Sequence, residues 1–114
     1  MTTKAVEPID LPAPVAAYFA ADATGADAVA QCFTEGAVVI DERREHRGRT
    51  AIARWKADAS AKFRYSVERL GAHVAGDETT VTGRVTGDFP GSPVNLQYHF
   101  TLEGDQIARL EVGP

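Results

Sequence analysis

Cysteine is almost missing from this 114-residue chain, whose single Cys32 excludes any internal disulfide. A reducing, cytoplasmic setting is therefore expected. Cys32 lies in an apolar helical stretch with Val29 and Phe33, which favours a buried, inert thiol over a nucleophile. An excess of positive charge is also lacking. Twelve Lys and Arg stand against 16 Asp and Glu, for a formal charge of −4, and this argues against a nucleic-acid partner. The one basic cluster, Arg43, Arg44, Arg47 and Arg49, is interleaved with Asp41, Glu42 and Glu45, as expected of a solvated turn. No run reaches the roughly 18 apolar residues of a membrane span, so no membrane partner is expected. Residues 1–10 have no apolar centre of the secretory-signal kind, and residues 1–11 read as a partly ordered leader. No His pair has metal-ligand spacing, no Gly-rich loop suits a phosphate, and no nucleophile elbow occurs. Neither a metal nor a cofactor is expected.

What is present suits one soluble domain over residues 1–114, with 44% hydrophobic and 25% charged residues. The first half has helical spacing. Pro12 and Pro14 suit a helix start, with Val15, Tyr18, Phe19 and Ala20 as its buried stripe. Asp27 is the expected N-cap of a second short helix carrying Val29, Cys32 and Phe33. Gly36 is expected to cap its C-terminus and lead into a strand, Ala37–Asp41. Thr50 is expected to cap a third helix over 51–61, with Ile52, Trp55, Lys56 and Ala59 on one side.

The second half alternates with a period of two. Phe63–Glu68 is one expected strand, and Gly76-Asp77 marks a turn. Thr80–Asp88 follows, with Gly83 and Gly87 as bends in a curved sheet. After Pro90-Gly91-Ser92-Pro93, the residues Val94, Leu96, Tyr98, Phe100 and Leu102 share one face. Asn95, Gln97, His99 and Thr101 share the other, and Glu103-Gly104-Asp105 turns the chain into a last strand, 106–112. Helices followed by an antiparallel meander imply an α+β domain with helices on one face of a curved sheet.

Within that order, Phe33 with Ala37-Val38-Val39, the run Arg47-Gly48-Arg49-Thr50-Ala51-Ile52 with Trp55, and the closing Gly104-Asp105-Gln106-Ile107-Ala108-Arg109-Leu110 resemble the NTF2-like superfamily. Its SnoaL-like and ketosteroid-isomerase-like members are the nearest in pattern. The resemblance spans about residues 14–112 and implies a conical cystatin-like roll with an apolar pocket, often paired through the outer sheet face. It specifies the fold better than the activity, because the superfamily holds isomerases, dehydratases, cyclases and non-catalytic association domains.

Three positions carry over from the isomerases. Asp41, at the end of the first strand, matches their general base, and Tyr18, on the first helix, falls near their oxyanion-hole Tyr. Where they keep a protonated Asp on the fifth strand, this chain has Tyr98. A base and two hydrogen-bond donors are the set needed to abstract a proton beside a carbonyl and hold the enolate. The expected wall comprises Trp55, Phe63, Phe100, Val39 and Phe19, around a small hydrophobic or carbonyl-containing molecule. Each has a plainer reading: Asp41 as the start of a polar turn paired with an Arg, the aromatic residues as core. The polar face bearing Asn95, Gln97, His99, Thr82 and Arg84 is expected to form a wet homodimer interface. The sequence thus leaves two classes open, a cofactor-free isomerase, cyclase or dehydratase, and a non-catalytic ligand-binding or association domain.

Overall fold

Residues 11–114 are described by the structure, a computed structural model. The expected leader lies outside the described residues, apart from Leu11. Three helices and six strands follow. Helix α1 (Ala13–Asp22) starts after Pro12, with Pro14 in the first turn, where a missing N–H leaves no bond unmade. Its buried stripe is Val15, Tyr18 and Phe19, completed by Ala21 where Ala20 was expected.

Helix α2 (Ala26–Gln31) is capped by Gly25, at φ 155°, and not by Asp27. Asp27 sits in the first turn instead, where its carboxylate still meets the positive end of the helix. The helix ends at Cys32, and strand β1 (Phe33–Asp41) begins earlier than expected. Gly36 is therefore inside a strand, with no left-handed φ, and caps nothing. Phe33 is drawn into the sheet by its partner Ile107, whose N–H donates to the Cys32 carbonyl at 2.9 Å. The pairing slips between Phe33 and Val38, so Gly36 lies in an irregular stretch.

The charged run is a strand in part, not only a turn. β2 (Arg44–Arg47) pairs back on β1, with Asp41 opposite Arg44. The connecting residues Glu42 and Arg43 both have positive φ, as a two-residue hairpin of matching twist requires. Helix α3 (Arg49–Lys62) is capped by Gly48 at φ 90°, with Thr50 already inside its first turn. It buries Ile52 and Lys56.

Strand β3 (Tyr65–Ala75) starts after Phe63 and runs well beyond Glu68, because β4 (Glu78–Gly87) pairs with its full length. β5 (Val94–Glu103) and β6 (Gln106–Gly113) complete a mixed sheet of order β2-β1-β6-β5-β4-β3. Among the described residues only β1 and β6 run parallel, and β2 and β3 are left as unpaired edges, so the sheet curves without closing. The helices cover one face, as expected for an NTF2-like cone. Gly87 permits a close crossing at the end of β4, since a Cβ there would collide with the Arg64 carbonyl and Tyr65. Gly83 leaves room for the Tyr98 ring, which a Cβ would meet at 3.0 Å.

Candidate functional site

Asp41 closes β1 in phase with the buried Ala37 and Val39, so the pleat turns its side chain toward the helices. Helix α3 brings Trp55 against it. The indole Nε1–H donates to Asp41 Oδ2 at 2.9 Å, and Asp41 makes no ion pair among the described residues. The plainer reading of Asp41 as the partner of an arginine does not hold, since its partner is the Trp55 indole.

One turn along α3 from Ile52, Lys56 enters the interior at only 5% exposure. Its Nζ lies 3.0 Å from Asp22 Oδ1, 3.3 Å from the Tyr18 hydroxyl and 3.2 Å from the Tyr65 hydroxyl. The Tyr65 hydroxyl in turn donates to Asp22 Oδ1 at 3.2 Å. The ammonium also sits 4.4 Å from the centre of the Trp55 ring, close enough for a cation–π contact. Burial penalises the Lys56 charge, but the Asp22 carboxylate at 3.0 Å, joined at high pH by the ionised phenols of Tyr18 and Tyr65, outweighs it, and its pKa is raised. Lys56 is accordingly an ammonium at neutral pH. Burial pushes the Tyr18 phenol up to about 12 against the opposing pull of Lys56, and burial raises Tyr98 as well. Both remain hydroxyl donors at neutral pH.

All of these groups but Asp22 line one cleft of about 150 Å³ between α1, α3 and the sheet. Its polar lining is Tyr18, Asp41, Trp55, Lys56, Tyr65 and Tyr98. Val85, Leu96 and Val112 supply sheet-side apolar surface, while Phe63 and Phe89, with ring centres 6.0 Å apart, stand beside them. Sites for drug-sized ligands generally hold about 300–1,000 Å³, so this cleft suits a smaller molecule. It adjoins a wider depression of about 680 Å³, which shares Asp41, Phe89, Leu96 and Val112 with it.

The structure therefore brings together five residues singled out from sequence: Asp41, Tyr18, Tyr98, Trp55 and Phe63. Phe63 is 37% exposed, at the end of α3, and not inside a strand. Phe100, Phe19 and Val39 do not line the cleft; they are core, at 1%, 6% and 0% exposure. The physical reason is aromatic packing. Tyr18 meets Phe19 and Phe100 edge-on, with ring centres 5.2 and 5.4 Å apart, and the cluster fills the cone behind the cleft. Sequence reasoning gave no role to Lys56 or Asp22. A signal for Lys56 was present, since a lysine four residues after Ile52 on an apolar helical face is rarely buried without a partner.

On the outer sheet face, His99 Nδ1 lies 3.1 Å from the Thr80 hydroxyl, and Thr82 donates to Gln97 Oε1 at 3.1 Å. No group of His, Cys, Asp and Glu capable of holding a metal occurs among the described residues. None of the described helices is long and apolar enough to cross a membrane.

Solved structures share this fold. A candidate polyketide cyclase from Sinorhizobium meliloti is 45% identical, with 90% of this chain and 95% of that one covered, at a TM-score of 0.87. A hypothetical protein with a ketosteroid-isomerase-like fold from Catenulispora acidiphila, in complex with trimethylamine, is 24% identical over 92% of this chain and 87% of its own, at 0.82. An NTF2-like protein from Burkholderia xenovorans shares the fold at 19% identity and 0.69, over 87% of this chain and 84% of its own. Among proteins of curated function none is significantly similar. The profile of the SnoaL-like domain matches residues 15–110, and the chain belongs to that family, on an NTF2-like fold.

Proposed function

We propose that this SnoaL-like, small-molecule-binding protein isomerises, cyclises or dehydrates a small carbonyl compound without a cofactor. The observation that carries this reading is one carboxylate and three phenols, Tyr18, Tyr65 and Tyr98, on a single small cleft with apolar walls. Asp41 is the base. The Trp55 N–H holds its Oδ2, which orients the carboxylate and leaves Oδ1 to take a proton from the carbon beside the carbonyl. The electron pair of that C–H bond moves into a C=C bond, and the carbonyl oxygen becomes an enolate. Tyr18 and Tyr98 donate to that oxygen, where each such donor is worth roughly 10²–10³ in rate. Trp55 and Phe63 form part of the wall. The 45% identity to a candidate polyketide cyclase supports carbonyl chemistry of this kind.

The direct check is exchange of α-protons in deuterated water, followed by NMR on a panel of small cyclic ketones. The wild-type protein is expected to accelerate exchange for at least one member, and Asp41→Asn to slow it by about 10²–10⁴-fold with unchanged melting. A wild-type protein without acceleration, or an Asp41→Asn protein that exchanges as fast, would sink the reading.

A second reading is favoured by the small volume of the cleft and by the aromatic filling behind it: a non-catalytic ligand-binding or association domain. In either case the protein acts in the cytoplasm as a single domain over residues 1–114, paired through the outer sheet face. Asn95, Gln97, His99, Thr82 and Arg84 lie on that face, away from the helices, and offer donors and acceptors to a second copy. Native mass spectrometry is expected to give the mass of two chains; one chain at all concentrations would remove the dimer.

A further inference from the structure

Lys56 is the one buried cation among the described residues, and the chemistry above makes no use of it. An ammonium has three N–H bonds, and here three acceptors meet it: Asp22, Tyr18 and Tyr65. The Tyr65 hydroxyl donates its own hydrogen bond to Asp22. Tyr18 differs. Its hydroxyl oxygen accepts from Lys56, donates to no described residue, and belongs to a ring that lines the cleft. The Tyr18 proton is therefore the free donor of the network, with a positive charge directly behind it.

We propose that Lys56 is a positioning residue that polarises the Tyr18 hydroxyl, so that the cleft selects a ligand bearing an anionic oxygen, an enolate or a phenolate. Asp22 and Tyr65 hold the ammonium in place. The inference rests on the carbonyl-binding reading above and deepens it. The resulting chain runs from Lys56 N–H to the Tyr18 oxygen, and from the Tyr18 O–H to the ligand oxygen. Hydrogen bonds in such a chain polarise one another, and those involving a charge are roughly twice as strong as neutral ones. No proton leaves Lys56, and no covalent bond forms to it. Its raised pKa keeps the amine protonated, which excludes attack by Lys56 on a carbonyl at neutral pH.

The charge at Asp22 bears on this directly. The carboxylate offsets most of the ammonium charge at 3.0 Å, so it anchors Lys56 while weakening the field felt in the cleft. Removing Asp22 and removing Lys56 should therefore shift anion binding in opposite directions. A purely structural pair would be damaged alike by either change.

4-Nitrophenol is a suitable probe, because its phenolate absorbs in the visible and its neutral form does not. Titrations are made in the Asp41→Asn protein, whose amide stands in for the neutral base after proton transfer. This parent is expected to bind the phenolate in preference to the phenol. Adding Lys56→Met together with Asp22→Asn, so that no buried charge is left unpaired, should weaken phenolate binding by about 10-fold, with little change for neutral phenol. Asp22→Asn alone should strengthen it. With Tyr18→Phe already present, the Lys56→Met and Asp22→Asn pair should have no further effect, because Lys56 acts through Tyr18. Equal phenolate affinity with and without Lys56, or weakening by Asp22→Asn alone, overturns the role of Lys56 and leaves the carbonyl-binding reading standing. Absence of any binding to the parent, as phenol or phenolate, overturns both.

Discussion

Lys56→Met is expected to destabilise the protein by about 3–5 kcal/mol, the range for removing one partner of a buried ion pair. The side chains of Lys56 and Asp22 are 7% and 12% exposed, so solvent screens neither. Without the ammonium, the Asp22 carboxylate keeps only the Tyr65 hydroxyl as a donor, and the Tyr18 oxygen loses its partner. The desolvation of Asp22 then stands uncompensated. Adding Asp22→Asn should regain most of the loss, because a neutral amide is far less penalised by burial than a charge. Urea unfolding of the single and double variants at neutral pH measures both quantities. Equal stability of Lys56→Met and wild type would show that the pair contributes nothing. The exposed pairs Arg47–Glu45 and Arg109–Glu111 provide the contrast: they are 66%/59% and 44%/47% exposed, and replacing either should change stability by less than about 1 kcal/mol.

Phe100→Ala should lower stability by about 3–5 kcal/mol, as loss of a fully buried aromatic ring does. The ring is 1% exposed, edge-on to Tyr18 and Phe19, and stacked on Tyr98 at 6.4 Å. Those neighbours come from α1 and from its own strand, and a stiff sheet cannot collapse to fill the void. The void also lies directly behind Tyr18 and Tyr98, two residues of the cleft. Apolar probes such as benzene are therefore expected to bind the variant more tightly than wild type while its melting temperature falls. A variant with unchanged melting would return Phe100 to the pocket wall, where its sequence pattern had placed it.

The same residue shows why the site was only partly legible. Alternation tells that Tyr98 and Phe100 share the inner face of β5, and it tells this of Val94 and Leu96 equally. Which of these meets a cleft and which meets another ring depends on where α1 and α3 cross the sheet. Tyr18 and Phe19 are neighbours on one helix, yet Tyr18 lines the cleft and the Phe19 ring is sealed into the core. Helix caps failed for a related reason. Asp27 and Thr50 are good capping residues, but Gly25 and Gly48 precede them at positive φ, and the helices begin there. Gly36 failed because the sheet partner of Phe33 outweighed a local helix-stop signal.

Local periodicity by itself determined the α+β order and the inner and outer faces of β4 and β5. These depend only on a period of two or 3.6 and on which side is apolar. The tertiary structure alone decided that Trp55 would hold Asp41, and that Lys56 would be neutralised by Asp22 from a helix 34 positions earlier. Pairing across such distances is set by packing, because burying a charge is tolerable only where a distant part of the chain delivers its counter-charge to the same point.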